Sequence, residues 1–148
     1  MTLLDILDKN LIKVPVLSTN KKDLISELIN IYKECTEASS IQADDLISAV
    51  IDRELQASTA MGNGVAIPHA KISGLDKAAV VIGISRLGID FGGDEKSRIF
   101  FLVLAPADKP SEHIQLLSSI ARLSSSPVFC RMMQNAKDRN ELYQLLTE

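Results

Sequence analysis

Residues 58–70 read Ser-Thr-Ala-Met-Gly-Asn-Gly-Val-Ala-Ile-Pro-His-Ala. Gly62, Asn63 and Gly64 tolerate positive φ, so this part of the stretch predicts a tight turn. The apolar residues 65–67 predict a short strand after the turn. Pro68 lacks an amide hydrogen, which places it at an edge, an end or a bulge of a sheet. The stretch therefore predicts a loop and a short strand that present the next residue, a histidine, at the strand end.

His69 is the residue of this stretch that can carry chemistry. An imidazole at a strand end, beside a loop with exposed amides, suits nucleophilic attack or proton transfer. A structural histidine with satisfied hydrogen bonds is the alternative. These residues alone leave the two interpretations open.

The composition indicates one globular domain over residues 1–148. Hydrophobic residues make up 46% of the chain and charged residues 24%, which is ordinary for a globular protein. The net charge of −3 argues against nucleic acid as a partner. The apolar runs at residues 78–84 and 99–105 are shorter than the roughly 20 residues that span a bilayer. Cys35 and Cys130 show neither metal-ligand spacing nor a disulfide framework, so we expect reduced thiols in a soluble cytoplasmic protein.

The first half of the chain predicts three helices and a strand. Thr2 caps a short opening helix, and the alternation at residues 12, 14 and 16 predicts a strand that Pro15 leaves at an exposed edge. Asn20 caps a second helix, which ends before a break at residues 36–41. A third helix begins near Asp44. Its predicted apolar face is formed by Leu46, Ile47, Val50, Ile51 and Leu55.

The second half predicts buried strands at residues 78–85 and 99–104, joined by a turn within residues 88–98. Ser111 is predicted to cap a helix with Ile114, Leu117, Ile120 and Ala121 on its apolar face. Two short helices follow, which begin at Ser126 and Asp138. Helices before, between and after apolar strands predict an α/β fold: a three-layer single domain with a mixed β-sheet flanked by helices on both sides.

Three segments carry a resemblance to a known family: residues 53–54 (Arg-Glu), residues 58–69 and residues 112–116 (Glu-His-Ile-Gln-Leu). Together they resemble the type-2 enzyme IIA domain of the bacterial phosphoenolpyruvate-dependent phosphotransferase system, the fructose/mannitol class that includes nitrogen-regulatory IIA proteins. The chain departs from the family pattern at Ala60, where the family commonly has glycine. A Cβ at a position of positive φ would change the loop conformation. Residues 92–96 (Gly-Gly-Asp-Glu-Lys) also depart from the family pattern, which more commonly has an Asp-Gly-x-Pro-type turn there.

The resemblance implies roles for particular residues. His69 is expected to accept a phosphoryl group on Nε2 from the phosphocarrier HPr and to pass it to a cysteine of a IIB domain. His113 and Arg53 are expected to bind the phosphoryl oxygens. Hydrogen bonds from Thr59 and from the amides of Gly62, Asn63 and Gly64 are the remaining candidates, with turn formation as the alternative for these residues. No cofactor beyond the phosphoryl group of phospho-HPr is expected, and with two histidines in the chain no metal site.

The predicted function is therefore a phosphohistidine phosphocarrier. A free-standing chain favours the nitrogen-regulatory form, with a regulatory target protein as partner, over a fructose/mannitol sugar-permease component with a IIB partner. A non-catalytic interaction module of the same fold is a further alternative. A hydrolase that uses Ser58 or Thr59 with His69 is disfavoured, because the chain lacks a Gly-x-Ser-x-Gly elbow. Met61, Val65 and Ile67 are candidates for either an HPr-docking rim or the core.

Overall fold

The computed structural model describes residues 1–36 and 40–148. Within these residues one mixed sheet contains five strands: β1 (Ile12–Lys13), β2 (Val65–Ala66), β3 (His69–Ile72), β4 (Ala79–Ile89) and β5 (Ser97–Pro106). The strand order is β1-β4-β5-β2, and β3 also pairs with β5. β4 and β5 are antiparallel, whereas the other pairs are parallel. Because β2 and β3 pair with successive parts of β5, Pro68 lies at the break between them, as its missing amide predicts.

Helices cover both faces of the sheet, which confirms the predicted three-layer α/β fold. The described residues form α1 (Leu3–Ile6), α2 (Lys21–Cys35), α3 (Ala43–Gln56), α4 (Pro110–Leu123), α5 (Pro127–Gln134) and α6 (Arg139–Thr147). Alternate residues of β5 point to opposite faces. Phe100, Leu102 and Leu104 pack with α2 and α3, whereas Ile99, Phe101 and Val103 pack with α1, α4, α5 and α6. Burial on both faces explains the continuous apolar run of this strand.

Several predicted helix starts are confirmed by their side-chain caps. The Asn20 side chain accepts a hydrogen bond of 2.9 Å from the Asp23 amide at the start of α2. Ser126 caps α5 in the same way, and Asp138 accepts from the Glu141 amide, 2.9 Å away, at the start of α6. Each cap satisfies a backbone donor that the helix itself leaves without a partner.

The start of α4 differs from the prediction. Lys109, not Ser111, is the N-cap, and Pro110 occupies the first helical position, where its fixed φ fits and its missing amide is not needed. The predicted apolar face is also wrong at Ile114, which is 63% exposed. The buried side chains of α4 belong to His113, Leu116 and Ile120. A histidine therefore occupies a core-facing position that hydrophobicity alone did not identify.

The end of α3 shows a similar correction. Leu55 was predicted on the apolar face but is 79% exposed, because the neighbouring Glu54 takes the inward position and is buried. β1 ends at Lys13, earlier than predicted, although the Val16 amide still donates to the Ile84 carbonyl over 2.8 Å. β4 continues to Ile89 and shortens the predicted turn. The predicted break at residues 36–41 includes residues 37–39, which lie outside the described residues.

The edge position of β1, predicted from Pro15, is confirmed by the strand order. None of the helices in residues 1–36 and 40–148 has the length and apolar character needed to cross a membrane.

Candidate active site

His69 is the first residue of β3 and is fixed by the pairing of that strand with β5. It is opposite Val103, whose amide donates to the Pro68 carbonyl over 2.9 Å. Nδ1 of the His69 ring lies 2.7 Å from the carbonyl oxygen of Ile67. Because a carbonyl oxygen only accepts hydrogen bonds, Nδ1 carries the hydrogen in this contact. In the neutral ring this leaves the lone pair on Nε2, so the backbone selects the tautomer and the ring orientation.

His113 lies in the first turn of α4, on the face that packs against the sheet. Its side chain is 5% exposed, and its Nδ1 atom is buried with no hydrogen-bond partner among the described residues. A buried N–H without a partner costs more than a buried lone pair, so the hydrogen of the neutral ring is expected on Nε2. The two histidines thus carry their hydrogens on different ring nitrogens.

The two rings are neighbours in a single cleft. Their centroids are 5.4 Å apart and their planes are tilted by 45°. The cleft has a volume of about 360 Å³ and is lined by Ala49, Asp52, Arg53, Gln56, His69, Ala70, Lys71 and His113. The structure therefore brings together the three residues for which the family resemblance implied a catalytic role: His69, His113 and Arg53.

Arg53 reaches the cleft from the last turn of α3. One guanidinium nitrogen, Nη1, donates to the Ala57 carbonyl over 3.0 Å, which ties the side chain to the chain segment that follows its own helix. A cation at a helix C-terminus is also favoured by the helix dipole. The guanidinium is thus held in place while it keeps further donors for an anionic group in the cleft.

Glu54 fixes the loop that follows α3. Its buried carboxylate accepts hydrogen bonds from the Thr59 amide (2.8 Å) and the Thr59 hydroxyl (2.6 Å). The Lys21 ammonium lies 3.5 Å from the same carboxylate and donates to the Phe91 carbonyl, which also accepts from the Ser58 hydroxyl. The Thr59 hydroxyl is therefore engaged with Glu54, and both residues serve to hold this loop against α2 and α3.

The Gly62–Gly64 turn lies away from the histidine cleft. Asn63 (φ 65°) and Gly64 (φ 74°) have positive φ, which confirms the predicted tight turn. The Asn63 side chain donates to the Ser124 carbonyl, and the Gln134 side chain donates to the Asn63 carbonyl, so the turn is attached to α5 and its preceding loop. None of its residues lines the cleft with His69. The structure brings the turn and the histidine pair to different places, and phosphoryl binding by the turn stays a prediction.

Several other residues of the stretch 58–70 lie outside the histidine cleft. Val65 and Ile67 are buried in the core, whereas Met61 is exposed and lines a separate cavity with Gly62, Asp94 and Glu95 among others. Ala60 makes a bridge to Ala66 and is absent from the residues with positive φ in the described chain. The additional Cβ of Ala60 therefore causes no backbone strain.

The electrostatic environment keeps both imidazoles neutral near pH 7. Burial lowers the pKa of His69, and the charges of Arg53 and Lys71 lower it further. The Ile67 hydrogen bond and the Glu54 charge act in the opposite direction. Burial also lowers the pKa of His113, followed by the neighbouring His69 and Lys71. A neutral ring has the lone pair that nucleophilic attack requires.

Sequence reasoning missed Lys71 as a member of the cleft. The period of two in a strand is a signal that identifies it, because residues 69 and 71 point to one side of β3 and residues 70 and 72 to the other. Among the described residues, no group of three or more histidine, cysteine, aspartate or glutamate side chains is arranged to hold a metal ion.

The comparison with protein families covers nearly the whole chain. A family model described as the phosphoenolpyruvate-dependent sugar phosphotransferase system, EIIA 2, matches residues 5–148. The chain belongs to this EIIA family. It is thus a component of a phosphotransferase system, and the predicted resemblance is confirmed.

Both branches of the EIIA family are represented among the relatives. The chain is 30% identical over 129 residues to a nitrogen regulatory protein of Escherichia coli, covering 85% of this chain and 76% of that protein. It is 25% identical over 150 residues to the fructose-specific EIIABC component of Bacillus subtilis, covering 100% of this chain. The chain spans only 23% of the length of that second relative.

Solved EIIA structures share the fold. The nitrogen regulatory protein IIA-Ntr of Neisseria meningitidis matches with a TM-score of 0.87 and 26% identity, over 97% of both chains. A complex of the mannitol enzyme IIA with phosphorylated enzyme IIB from E. coli matches with a TM-score of 0.72 and 20% identity, over 95% of this chain and 96% of that chain. These matches confirm the mixed α/β fold.

Proposed function

We propose that this EIIA protein is a phosphohistidine carrier in which Nε2 of His69 accepts the phosphoryl group of a phosphorylated HPr-type protein. The 2.7 Å contact between His69 Nδ1 and the Ile67 carbonyl carries the proposal, because it leaves Nε2 as the nucleophilic atom. In the transfer, a bond forms between Nε2 and phosphorus while the bond between phosphorus and the carrier's histidine breaks. The electron pair of the broken bond returns to the carrier's imidazole, and no proton leaves His69 Nδ1.

Arg53 and His113 stabilise the charge of the phosphoryl group. The guanidinium stays cationic at every relevant pH and can bind two phosphoryl oxygens at once. His113 donates through Nε2–H, the tautomer favoured by its buried Nδ1, which has no hydrogen-bond partner among the described residues. Donors fixed in place before the reaction need no reorganisation as charge develops, which is how such groups accelerate transfer.

The carrier has two expected protein partners. The phosphoryl donor is an HPr-type phosphocarrier, and the acceptor is a IIB domain or a regulatory target protein that senses the phosphorylation state. The E. coli complex of mannitol enzyme IIA with phosphorylated enzyme IIB supports a IIB partner as one outcome. The free thiols of Cys35 and Cys130 are consistent with the reducing cytoplasm, where we place these steps.

The regulatory form is favoured because the match to IIA-Ntr has a TM-score of 0.87 and 26% identity, against 0.72 and 20% for the mannitol enzyme IIA in the complex with enzyme IIB. The sugar-permease form is the second candidate, supported by the match of the whole chain to the fructose-specific EIIABC component. Incubation of the phosphorylated protein with IIB domains from the same organism separates them. Rapid transfer to a IIB cysteine supports the permease form, whereas retention of the phosphoryl group on His69 supports the regulatory form.

The carrier function is tested by intact mass spectrometry. The wild-type protein and His69→Gln are incubated with phosphoenolpyruvate, enzyme I and HPr at mildly alkaline pH, which preserves phosphohistidine. The expected result is addition of one phosphoryl group to the wild-type protein, dependent on HPr, and none to His69→Gln. A folded wild-type chain that stays unmodified with HPr of its own organism would contradict the proposal. That outcome favours the non-catalytic interaction module.

A further inference from the structure

Lys71 lies beside the proposed phosphorylation site. It is two residues after His69 in β3, a separation of about 6.6 Å along a strand, and points to the same side of the sheet. Ala70 and Ile72 point to the other side and are buried. The long lysine stem is therefore able to bring its ammonium group to the His69 ring.

The Lys71 ammonium is available for an anion. Lys71 is exposed and lines the same cleft as His69, His113 and Arg53. Within residues 1–36 and 40–148, no hydrogen bond or ion pair engages its ammonium group. Lys21 and Lys109 differ in this respect, since Lys21 pairs with Glu54 and Lys109 donates to the Asp76 carbonyl.

The positive charge of Lys71 already acts on both rings. It contributes to the lowered pKa of His69 and to that of His113, which means that its field reaches the place where a phosphoryl group would be attached. A phosphoryl group on His69 adds about two negative charges at this point. One Arg53 N–H group already donates to the Ala57 carbonyl. A second cation in the cleft can therefore supply donors to the phosphoryl group in addition to those that Arg53 keeps.

We propose that Lys71 is a phosphoryl-binding residue whose ammonium group pairs with the phosphoryl oxygens on His69 Nε2. This inference rests on the proposed carrier function. In the unphosphorylated protein the ammonium faces solvent at the cleft, and phosphorylation supplies its counter-ion. Lys71 therefore stabilises the phosphorylated protein relative to the unphosphorylated one.

The equilibrium of transfer separates this role from carrier docking. The reaction converts phospho-HPr and free EIIA into HPr and phospho-EIIA, and its equilibrium constant depends only on these separate proteins. A residue that contacts only HPr changes the forward and reverse rates equally and leaves the constant unchanged. A residue that binds the phosphoryl group on His69 changes the constant, because it stabilises one product.

The test measures this equilibrium for Lys71→Gln, Lys71→Arg and Lys77→Gln. Lys77 is an exposed lysine that does not line the cleft, so its variant makes the same change of net charge. Purified phospho-HPr is mixed with each protein, and the phosphorylated fractions are read by intact mass. For Lys71→Gln we expect the constant to fall about tenfold, as for loss of a hydrogen bond to a charged group. Lys77→Gln is expected to match the wild type, and Lys71→Arg to retain most of the effect.

The outcomes distinguish the inference from the function on which it rests. If the wild type accepts the phosphoryl group and Lys71→Gln has the same equilibrium constant as Lys77→Gln, the Lys71 inference is wrong and the carrier function stands. Equal changes in the forward and reverse rates with an unchanged constant likewise overturn it and assign Lys71 to docking. If the wild type accepts no phosphoryl group, the carrier function itself fails. Thermal unfolding of each variant verifies that it is folded.

Discussion

The imidazole rings of His69 and His113 lie 5.4 Å apart between centroids, although one belongs to a strand and the other to a helix. Both positions depend on the C-terminal half of β5. His69 pairs with Val103 of that strand, and α4 begins at Pro110, shortly after β5 ends at Pro106. The chain therefore brings one histidine to β5 by strand pairing and the other by the short connection from β5 to α4.

The first prediction concerns the hydrogen-bond donor on His113. In place of His113, the amide nitrogen of glutamine occupies nearly the position of ring Nε2, whereas that of asparagine occupies nearly the position of Nδ1. Because Nδ1 of His113 is buried without a described partner, we expect Nε2–H to be the donor. Phosphotransfer from phospho-HPr is expected to be slowed about 10²–10³-fold in His113→Asn and less in His113→Gln. Rapid-quench kinetics measures both rates.

The control for this prediction is the stability of the two variants, which shows whether each of them is folded. His113 is on the buried face of α4, so each variant is compared with the wild type by urea denaturation. If the two variants are equally stable and His113→Asn is the faster enzyme, the assignment of the donor to Nε2 is wrong.

The second prediction concerns pH. Burial lowers the pKa of both histidines, so their NMR titration midpoints are expected below the usual value of about 6.5. Only the neutral His69 ring attacks phosphorus, so the transfer rate is expected to decrease as the pH falls, with a midpoint below 6.5. As the pH falls below about 6.5, the unfolded chain binds more protons than the folded chain. The free energy of unfolding therefore decreases with falling pH, down to the pKa of the histidines in the folded state.

Arg53→Gln provides the matched test of the cause. The Arg53 charge lowers the pKa of His69, so its removal is expected to raise the His69 midpoint and to leave that of His113 less affected. A wild-type His69 midpoint at or above 6.5 would contradict the prediction, as would a lower midpoint in Arg53→Gln.

Much of the fold was predictable because local chemistry and burial agree in most elements. Asn20 and Asp138 have short polar side chains that accept from the helix amides, and the continuous apolar runs that became β4 and β5 are buried on both faces. Errors occurred where a polar side chain faces inward. His113 and Glu54 occupy buried positions, and the apolar neighbours that the pattern favoured, Ile114 and Leu55, are exposed.

The candidate site was predictable in part. His69, His113 and Arg53 come from three elements far apart in the sequence, and it was the family resemblance, not their spacing, that joined them. The Gly62–Gly64 turn precedes His69 closely in the chain. However, Val65, which follows the turn, pairs with Ile99, and His69 pairs with Val103, about 13 Å further along β5. Proximity in sequence was therefore a poor guide to proximity in the cleft.

The third prediction concerns the buried carboxylate of Glu54. Glu54→Ala removes the acceptor of both the Thr59 amide and the Thr59 hydroxyl and separates Lys21 from its counter-ion. We expect the free energy of unfolding to fall by about 1–3 kcal/mol, the usual cost of an unsatisfied polar group. Glu54→Gln keeps an acceptor and is expected to lose less. Urea denaturation measures both.

Leu55→Ala is the neighbouring control. Leu55 is 79% exposed, so its truncation is expected to change stability by less than about 0.5 kcal/mol. Equal stabilities of Glu54→Ala and Leu55→Ala would show that the carboxylate does not hold the loop.

The fourth prediction concerns the close packing of α2 on the sheet at Gly83. A Cβ at this position of β4 would lie 2.7 Å from Val16 Cγ1 and 3.1 Å from Leu28 Cδ2, so Gly83→Ala forces these side chains to move. We expect a loss of about 1–3 kcal/mol in the free energy of unfolding.

Gly62→Ala is the control, because a Cβ there meets no described atom within 4 Å and φ is not positive. Gly62→Ala is expected to leave stability unchanged or to raise it by about 0.4–1 kcal/mol. If Gly83→Ala is as stable as Gly62→Ala, Val16 and α2 are able to shift away from Gly83 without cost, and close packing there does not fix the position of α2.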